Sequence, residues 1–431
     1  MKIHFIGIGG IGLSALARIL KYDGHEISGS DMKATAITNS LEDEGIKVNT
    51  PQQASNIEDQ DLVIYSAAVK EDNAEVLEAH KKGIKIIPRK EALPLVLGDK
   101  KNYCVCGAHG KSTTTAILTS ILQSSALIGA ISKEFDSNFR FKNKTVAFEA
   151  DESDGSFLLS NPYCAIVPNA EPEHMEYYNH DLDQFYHAYE QFLKMAKIRV
   201  INAEDDFLKT LDIEATRLYP SKDIKNISFT IKDGEPFTKF ELKELGTFEV
   251  WGFGYHIAVD ASLAILAALN EVGLDTIKEN IKKYKGIKKR FDIIHKTDDF
   301  VVIDDYAHHP TEILATLKSV SLYKELKNIS KITVIWQPHK YSRLLDNLEA
   351  FKTCFAEADE LVILPVWNVG EKAVDIDLEK EFARYNPIMV DRLITKDGKI
   401  ALQKDGTISG VLQEGIVLGV GAGDITYQLR G

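Results

Sequence analysis

A glycine-rich segment in the first third of the chain decides the fold: Tyr103-Cys104-Val105-Cys106-Gly107-Ala108-His109-Gly110-Lys111-Ser112-Thr113-Thr114. Its apolar start predicts a β-strand, and the apolar periodicity after Ser112 predicts a helix. A glycine loop with Gly-Lys-Ser between them indicates a phosphate-binding loop, in a shorter form because Val105 stands where the usual first glycine would be. The loop predicts that Lys111 reaches the β- and γ-phosphates of ATP and that Ser112 holds Mg²⁺. A surface turn beside a capping serine is the alternative.

Acidic residues follow the next apolar run, and a histidine follows the one after it. Residues 145–148 lead into Glu149-Ala150-Asp151-Glu152-Ser153-Asp154, and residues 163–167 lead towards His174. Because the carboxyl ends of parallel strands meet at one edge of a sheet, Glu149 and His174 are expected beside the loop. With Ser112 they predict a phosphoryl-transfer centre that binds two Mg²⁺ ions. A solvated acidic loop and a structural histidine are the alternatives.

A second glycine turn opens the chain. Gly7-Ile8-Gly9-Gly10-Ile11-Gly12 follows the apolar residues 3–6 and precedes an apolar-periodic segment, and Asp31 comes 19 positions after Gly12. This is the dinucleotide fingerprint in its required context, where glycines let the backbone approach a pyrophosphate at a helix N-terminus. The pattern leaves open an NAD-type dinucleotide, another diphosphate-linked ligand, or a structural turn in which Asp31 is only a turn or N-cap residue.

Two polar segments in the last third of the chain follow apolar runs. Asp304-Asp305-Tyr306-Ala307-His308-His309-Pro310 comes after residues 300–303, and Gln337-Pro338-His339-Lys340-Tyr341-Ser342-Arg343 comes after residues 331–336. This density of polar side chains at two strand ends predicts a binding face, with two hydrophilic loops as the alternative. The chain has no Gly-x-Ser-x-Gly motif, and no cysteine lies in these motifs. We therefore expect ATP, rather than a covalent enzyme intermediate, to carry the chemistry.

Length and the spacing of the strand starts predict three domains. The chain has 431 residues, and domains average about 150 residues. Strand-to-helix starts occur near residues 3, 103 and 331. We expect an α/β protein with an N-terminal Rossmann-like domain at 1–98, a central P-loop ATPase-like domain with a parallel or mixed sheet at 99–287, and a C-terminal Rossmann-like domain at 288–431.

Composition argues against several classes of partner. Lys and Arg number 51 against 64 Asp and Glu, and the net charge of -13 is unlike that of proteins that bind the phosphate backbone of nucleic acids. No apolar run approaches the roughly 18 residues of a membrane span, so we expect no membrane insertion. Four scattered cysteines do not make a disulfide framework and predict free thiols in the cytoplasm.

The ordered set of motifs resembles the Mur ligases of peptidoglycan precursor synthesis, and among them the alanine-adding type, over nearly the whole chain. Besides the segments quoted above, it includes Ser28-Gly29-Ser30-Asp31, Ser66-Ala67-Ala68-Val69, Lys289-Arg290-Phe291 and Gly421-Ala422-Gly423-Asp424. The resemblance implies ligation of L-alanine to the lactyl carboxylate of UDP-N-acetylmuramate through an acyl phosphate, with ATP and Mg²⁺ and without a nicotinamide. A ligase that recycles a murein tripeptide onto the same sugar nucleotide and an NAD-dependent oxidoreductase are the alternatives.

The resemblance also implies roles for individual residues. Catalysis would use Lys111, Glu149, His174 and Arg290, and the metal ligands would be Ser112, Glu149 and His174. ATP would contact Gly107, Ala108, His109, Gly110, Lys111, Ser112, Thr113, His256, Arg290, Asp304 and Asp305. The UDP-sugar would contact Gly9, Gly10, Ile11, Gly12, Ser30, Asp31 and Ser66, and the amino acid would contact Tyr306, His308, Lys340 and Arg343.

The sequence departs from the family pattern at three places. The family's adenine segment Gly-x-His-Asn-x-x-Asn-Ala reads Gly254-Tyr255-His256-Ile257-Ala258-Val259-Asp260-Ala261, so both asparagines are replaced. Lys340 stands where Gln-Pro-His-Arg has its arginine, and a lysine cannot grip a carboxylate with two parallel hydrogen bonds. Glu173 stands for the acidic residue that precedes the histidine in Asn-x-x-x-Asp-His. The first two departures bear on the adenine and amino-acid contacts.

Overall fold

The computed structural model describes residues 1–431, which form two compact units. The first unit comprises Met1–Lys225, Glu241–Phe248 and Ala258–Lys285, and the second comprises Asn226–Phe240, Glu249–Ile257 and Gly286–Gly431. Three larger sheets built mainly of parallel strands, with helices between the strands, confirm the predicted α/β class.

The N-terminal sheet of the first unit is parallel throughout, in the order β3-β2-β1-β4-β5. Its central strand is buried over residues 3–6, because helices cover both faces of such sheets. The strand order reverses between β1 and β4, and ligands bind outside the carboxyl ends of the strands at such a point. The strands are β1 (Lys2–Ile6), β2 (Glu26–Ser30), β3 (Lys47–Asn49), β4 (Leu62–Tyr65) and β5 (Lys85–Pro88), and the helices are α1 (Ile11–Tyr22), α2 (Ala36–Asp43), α3 (Ala74–Lys81) and α4 (Leu93–Leu97).

The second sheet of this unit has seven strands in the order β12-β11-β10-β6-β9-β7-β8. It is mixed, because β7 and β8 pair antiparallel while the other pairs are parallel. Its strands are β6 (Lys101–Val105), β7 (Ser125–Ser132), β8 (Ser137–Arg140), β9 (Thr145–Glu149), β10 (Cys164–Val167), β11 (Ile198–Asn202) and β12 (Thr216–Leu218), and its helices are α5 (Lys111–Leu122), α6 (Leu182–Met195) and α7 (Pro220–Asp223). Since β6 lies between β9 and β10, the loops that follow these three strands meet.

A small sheet and two helices follow. The sheet has the order β13 (Ile224–Lys232), β14 (Glu235–Leu242) and β15 (Thr247–Trp251), and the helices are α8 (Tyr255–Ala268) and α9 (Leu274–Asn280). The sequence analysis did not predict this sheet. Helix α8 is rich in alanine and leucine, and its residues 260–268 are buried.

The second unit contains a six-stranded sheet in the order β16-β17-β24-β18-β19-β20 and a three-stranded antiparallel sheet, β21-β22-β23. Only β16 runs antiparallel in the larger sheet. The strands are β16 (Asp292–Lys296), β17 (Phe300–Asp305), β18 (Ile332–Trp336), β19 (Glu360–Ile363), β20 (Ile388–Met389), β21 (Arg392–Lys396), β22 (Lys399–Lys404), β23 (Thr407–Leu412) and β24 (Gly415–Val420), and the helices are α10 (Pro310–Lys327), α11 (Tyr341–Asp346), α12 (Leu348–Cys354), α13 (Leu378–Glu381) and α14 (Ile425–Arg430). Because β24 lies between β17 and β18, the polar segments after β17 and β18 leave the same edge of the sheet.

All four cysteines are buried free thiols, as the sequence predicted. Across the whole chain, every helix is too short or too polar to span a bilayer.

Candidate functional site

The first glycine turn is held in shape by backbone and side-chain bonds from β2. The Ser30 carbonyl accepts hydrogen bonds from the amides of Gly7 and Ile8, at 2.8 and 3.0 Å. The Gly9 amide donates to Asp31 Oδ2 at 2.8 Å, and a Cβ atom at Gly9 would lie only 2.7 Å from that oxygen. A side chain at Gly9 would therefore displace the Asp31 carboxylate from its bond with the turn, and Asp31 shapes the turn through that carboxylate.

Ser66, the third residue predicted to contact the UDP-sugar outside the turn itself, directly follows β4 and lies beside the glycines. Its Cβ would lie 3.1 Å from a Cβ atom at Gly7, and its amide donates to the Ile6 carbonyl. The structure thus brings Ser66, Asp31 and the glycine turn together at the carboxyl edge of the sheet.

The side chain of Ser30 is engaged within the fold, and its predicted contact with the UDP-sugar stays a prediction. Its hydroxyl is fully buried and donates to Glu75, a buried carboxylate that also accepts from Asn56 and lies 3.6 Å from His4 Nε2. Burial alone would raise the pKa of Glu75, but the bonds from His4, Ser30 and Asn56 hold it below its usual value. The Ser30 side chain therefore anchors β2 to α3, while its carbonyl supports the turn.

Arg89 is a site residue that the sequence analysis missed. It follows β5, and its guanidinium Nη1 would lie 2.8 Å from a Cβ atom at Gly12, in the first turn of α1. It forms no hydrogen bond or ion pair with the protein. An unpaired arginine beside a helix N-terminus is suited to bind a diphosphate, because the guanidinium and the helix N-terminus both create a positive electrostatic potential. Its position directly after a strand of the sheet was the signal available in the sequence.

The phosphate loop follows β6 as predicted. Gly107 has φ of +154°, and a Cβ atom there would lie 2.7 Å from the Asn169 carbonyl oxygen; Gly110 has φ of +80°. Asn169 also clamps the loop by accepting from the His109 amide and donating to the His109 carbonyl, each at 2.9 Å. Asn169, in the loop after β10, is a second residue that the sequence analysis did not assign to the site.

Lys111 points into the protein at the start of α5. Its Nζ donates to Glu152 Oε1 at 2.7 Å and to the carbonyls of Gly107 and Ala108. The Lys111 side chain is 17% exposed and that of Glu152 is 1% exposed. Burial opposes the lysine charge, but the Glu152 carboxylate raises the pKa of Lys111 above its usual value. The loop lysine is thus fully charged and already ion-paired.

Ser112 and Glu149 meet as the sequence predicted. Ser112 Oγ donates to Glu149 Oε1 at 2.9 Å, and the Gly129 amide donates to Glu149 Oε2 at 2.7 Å. Burial raises the pKa of Glu149, because it disfavours the charged carboxylate. A cation bound nearby would stabilise that charge and offset the effect of burial. Mg²⁺ prefers oxygen ligands, so the Ser112 hydroxyl at the start of α5 and the Glu149 carboxylate at the end of β9 fit that ion.

His174 is exposed and makes no side-chain hydrogen bond or ion pair, and its backbone is left-handed with φ of +53°. No three His, Cys, Asp or Glu side chains of the chain lie close enough to hold a metal ion by themselves. The exposed ring of His109 in the loop instead faces two carboxylates, with Nε2 3.5 Å from Glu171 and from Glu173. The metal-ligand role of His174 stays a prediction.

In the second unit, Arg290 is presented by a bent segment. Its neighbours Lys289 and Phe291 both have left-handed backbones, with φ of +62° and +46°. Asp305 fixes this segment, because its carboxylate accepts from the amides of Phe291 and Ala307, each at 2.8 Å. The exposed Arg290 guanidinium lies 5.7 Å from the centre of the Tyr306 ring. Two strained non-glycine residues flanking one arginine indicate a functional segment.

Asp304 is engaged within the fold. It is 1% exposed, accepts from Thr426 Oγ1 at 2.6 Å, and pairs with Arg430 at 2.8 Å, while Arg430 also pairs with Asp292. These bonds tie α14 to β17. The burial of the Asp304 carboxylate and its bonds to Thr426 and Arg430 favour a role in the fold. The predicted contact of Asp304 with ATP stays a prediction. His256, also predicted to contact ATP, is exposed at the start of α8.

The residues predicted to bind the amino acid gather after β17 and β18. His339 Nδ1 lies 2.8 Å from Arg343 Nη1, the His308 and His339 rings pack at 6.0 Å, and the Tyr306 and His308 rings at 5.2 Å. Burial and the Arg343 charge lower the pKa of His339 to about 4, so a neutral ring accepts the guanidinium hydrogen bond. Lys340 has φ of +66°, and its amide donates to the Trp367 carbonyl.

Family models match this chain in the order of its sheets. The Mur ligase family catalytic domain matches residues 2–101, the Mur ligase middle domain residues 105–267, and the Mur ligase glutamate ligase domain residues 289–390. The chain belongs to the Mur ligase family. The resemblance carried by the motifs is therefore confirmed.

Full-length relatives of this Mur ligase are similar throughout. The UDP-N-acetylmuramate--L-alanine ligase of Campylobacter curvus is 56% identical over 431 residues, which cover 100% of this chain and 99% of the relative. The ligase of the same name from Helicobacter pylori is 55% identical over 434 residues, covering 100% and 96%.

Solved structures agree with the fold. The UDP-N-acetylmuramate-alanine ligase of Thermotoga maritima superposes with a TM-score of 0.80 at 28% identity, covering 100% of this chain and 97% of that one. A murein peptide ligase of Psychrobacter arcticus shares the fold, with a TM-score of 0.62 at 20% identity, covering 99% and 97%. The three-domain α/β Mur ligase fold predicted from the sequence is confirmed, while the boundaries at 98/99 and 287/288 stay predictions.

Proposed function

We propose that this Mur ligase joins L-alanine to the lactyl carboxylate of UDP-N-acetylmuramate, with conversion of ATP to ADP and phosphate, in peptidoglycan precursor synthesis. The observation that carries the proposal is the hydrogen bond between Ser112, the residue after Lys111, and Glu149, in a chain 54–56% identical over its whole length to ligases that bear this name. A phosphate loop with an oxygen site for a cation supports phosphoryl transfer.

The chemistry proceeds in two displacements. A lactyl carboxylate oxygen attacks the γ-phosphorus of ATP, the bond to the bridging oxygen of ADP breaks, and an acyl phosphate forms. The alanine nitrogen then attacks the acyl carbon, inorganic phosphate leaves with the electrons of the C–O bond, and the nitrogen loses its proton. The protein's main task is to position the reactants and neutralise charge.

The first unit supplies the phosphoryl-transfer residues. The amides of residues 107–113 and the Lys111 ammonium bind the ATP phosphates, which requires Lys111 to exchange or share its bond with Glu152. Ser112 and Glu149 would hold Mg²⁺, which would supply positive charge at the transferred phosphate. His174 would add a ligand to a second Mg²⁺ ion.

The same unit would bind the sugar nucleotide. The turn formed by Gly9, Gly10, Ile11 and Gly12 leaves its backbone open to the UDP diphosphate, with Asp31 and Ser66 at its sides. The unpaired Arg89 beside Gly12 would add a charged donor to the diphosphate. Membership of the Mur ligase family argues against the NAD-dependent oxidoreductase alternative.

The second unit would bind the amino acid and a part of ATP. Arg343, oriented by neutral His339, offers a guanidinium to the alanine carboxylate, beside Tyr306, His308 and Lys340. Arg290 would contact ATP phosphate, with Asp305 holding its segment. Asp304 and His256 would be the other nucleotide contacts.

A phosphate-release assay tests the proposal against its closest alternative. The protein is incubated with ATP, Mg²⁺ and UDP-N-acetylmuramate, and L-alanine, glycine, L-serine or L-Ala-γ-D-Glu-meso-diaminopimelate is added in separate reactions. We expect release with L-alanine that needs the sugar nucleotide. Release only with the tripeptide would assign the chain to murein peptide recycling, and release with no acceptor would overturn the ligase proposal.

A further inference from the structure

The carboxyl group of Asp260 lies against the phosphate loop. Asp260 is in the second turn of α8 and is 6% exposed. A Cβ atom at Gly110 would come within 2.5 Å of Asp260 Oδ1 and 3.2 Å of Oδ2. The carboxyl group therefore touches the loop backbone one residue before Lys111. A side chain at Gly110 would therefore displace the Asp260 carboxyl group, in addition to the strain of the left-handed φ.

Thr114 and Tyr284 are the other groups that face Asp260. Thr114 is fully buried on α5, and its Oγ1 has no hydrogen-bond partner of good geometry. The hydroxyl is close enough to favour the ionised form of the Asp260 carboxyl. Tyr284, 3% exposed, is a titratable side chain whose pKa the charge of Asp260 raises further. No lysine, arginine or histidine pairs with this carboxyl group.

A buried carboxylate without a counter-ion is costly, so the neutral acid is favoured. Burial raises the pKa of Asp260 to about 8. A neutral carboxylic acid presents one donor and one acceptor, as a side-chain amide does, whereas the carboxylate only accepts. At neutral pH, Asp260 therefore behaves like an asparagine, and under alkaline conditions it becomes an anion beside the loop.

On the basis of the proposed ATP-dependent function, we propose that Asp260 is a positioning residue of the nucleotide site, which supports the phosphate loop as a neutral acid and weakens triphosphate binding when it ionises. The reason is electrostatic. The loop amides and Lys111 are expected to bind the ATP triphosphate, which is a polyanion. An ionised Asp260 beside Gly110 would repel this triphosphate, and the low dielectric of the protein interior strengthens the repulsion. Asparagine has the same shape and cannot ionise.

The test is the affinity of the full-length protein for ATP with Mg²⁺, measured by isothermal titration calorimetry from about pH 7 to about pH 9. If only the neutral form binds well, the Kd of the wild type rises about tenfold over this range. Asp260→Asn is expected to keep the wild-type Kd at pH 7 and to lose the alkaline rise. Any titration of ATP itself is common to both proteins and cancels in the comparison.

Glu271→Gln is the matched control. Glu271 follows α8, is partly exposed, and pairs with Lys101 away from the loop. Its removal deletes one carboxylate from the same unit, and we expect the wild-type pH profile. Should Asp260→Asn fail to fold, Thr114→Val provides the test, because loss of the hydroxyl that favours ionisation moves the alkaline rise to higher pH.

The outcomes separate this inference from the proposed function. If Asp260→Asn shows the same alkaline rise in Kd as the wild type, the role of Asp260 is overturned while the proposed function stands. The same conclusion follows if the rise in Thr114→Val occurs at the same pH as in the wild type. No ATP binding at any pH would overturn the proposed function together with this inference. A rise present in the wild type and Glu271→Gln but absent in Asp260→Asn would support the inference.

Discussion

Lys111 Nζ lies 2.7 Å from Glu152 Oε1, and both side chains are largely buried. The lysine expected to bind phosphate is therefore paired with a carboxylate of its own unit. Glu152 is held in turn by its surroundings, since its backbone carbonyl accepts from the Tyr178 hydroxyl. If Lys111 binds phosphate as proposed, we expect the nucleotide phosphate to compete with Glu152 for the same ammonium group.

Glu152→Gln tests this competition. The substitution leaves a buried ammonium without its counter-ion, and loss of one partner of a buried pair costs about 3–5 kcal/mol. We expect a lower melting temperature without ligand and a larger increase on addition of ATP with Mg²⁺ than in the wild type, because phosphate then restores the pair. Differential scanning calorimetry measures both. Equal increments in the two proteins would show that Glu152 does not compete with ATP.

Arg89→Ala tests the residue that the sequence analysis missed. A charge-assisted hydrogen bond contributes about 1.5–3 kcal/mol, so we expect the KM for UDP-N-acetylmuramate to rise about 10- to 100-fold while the KM for ATP changes little. Lys90→Ala is the control, because Lys90 is the next residue and its ammonium instead lies over the Tyr177 ring at 5.9 Å. A similar effect of both substitutions would point to a structural role of the segment.

His339→Ala tests the orientation of Arg343. Without the ring nitrogen at 2.8 Å, the guanidinium loses its acceptor, and we expect a several-fold higher KM for L-alanine at an unchanged KM for ATP. His339→Gln retains an acceptor and should recover part of the affinity. Steady-state kinetics with each substrate varied gives both constants. If His339→Ala leaves the KM for L-alanine unchanged, His339 does not position Arg343.

Asp260 also predicts how stability depends on pH. An unfolded aspartate has a pKa of about 3.9, and burial raises that of Asp260 to about 8. Between these values the folded state binds one more proton than the unfolded state, so this group destabilises the protein by about 1.4 kcal/mol for each rise of one pH unit. In urea denaturation, the free energy of unfolding of Asp260→Asn relative to the wild type should therefore increase by that amount for each pH unit from about pH 5 to about pH 7. A constant difference would contradict burial of an unpaired acid.

Much of the site was predictable because it lies at the carboxyl ends of parallel strands. The loop at Lys111 and the carboxylate at Glu149 each follow an apolar run, and the register of β6 beside β9 brings them together. The glycine turn and Asp31 are joined in the same way by the pairing of β1 with β2.

The residues that were not assigned to the site from the sequence depend on tertiary contacts. Arg89 directly follows a strand and Asn169 begins the segment that ends at His174, but only the folded sheets place them against Gly12 and His109. The pairing of Asp304 with Arg430, far away in sequence, likewise depends on the tertiary fold and could not be predicted from the polar segment that contains Asp304, whose ATP contact stays a prediction.

The proposed ligation of L-alanine to UDP-N-acetylmuramate is tested most directly by mass spectrometry of the product formed with ATP and Mg²⁺. We predict a sugar nucleotide heavier by one alanine residue, formed with one ADP per product, and a loss of about 100-fold or more in Lys111→Ala. ADP formation without this product, or equal product from Lys111→Ala, would contradict the account.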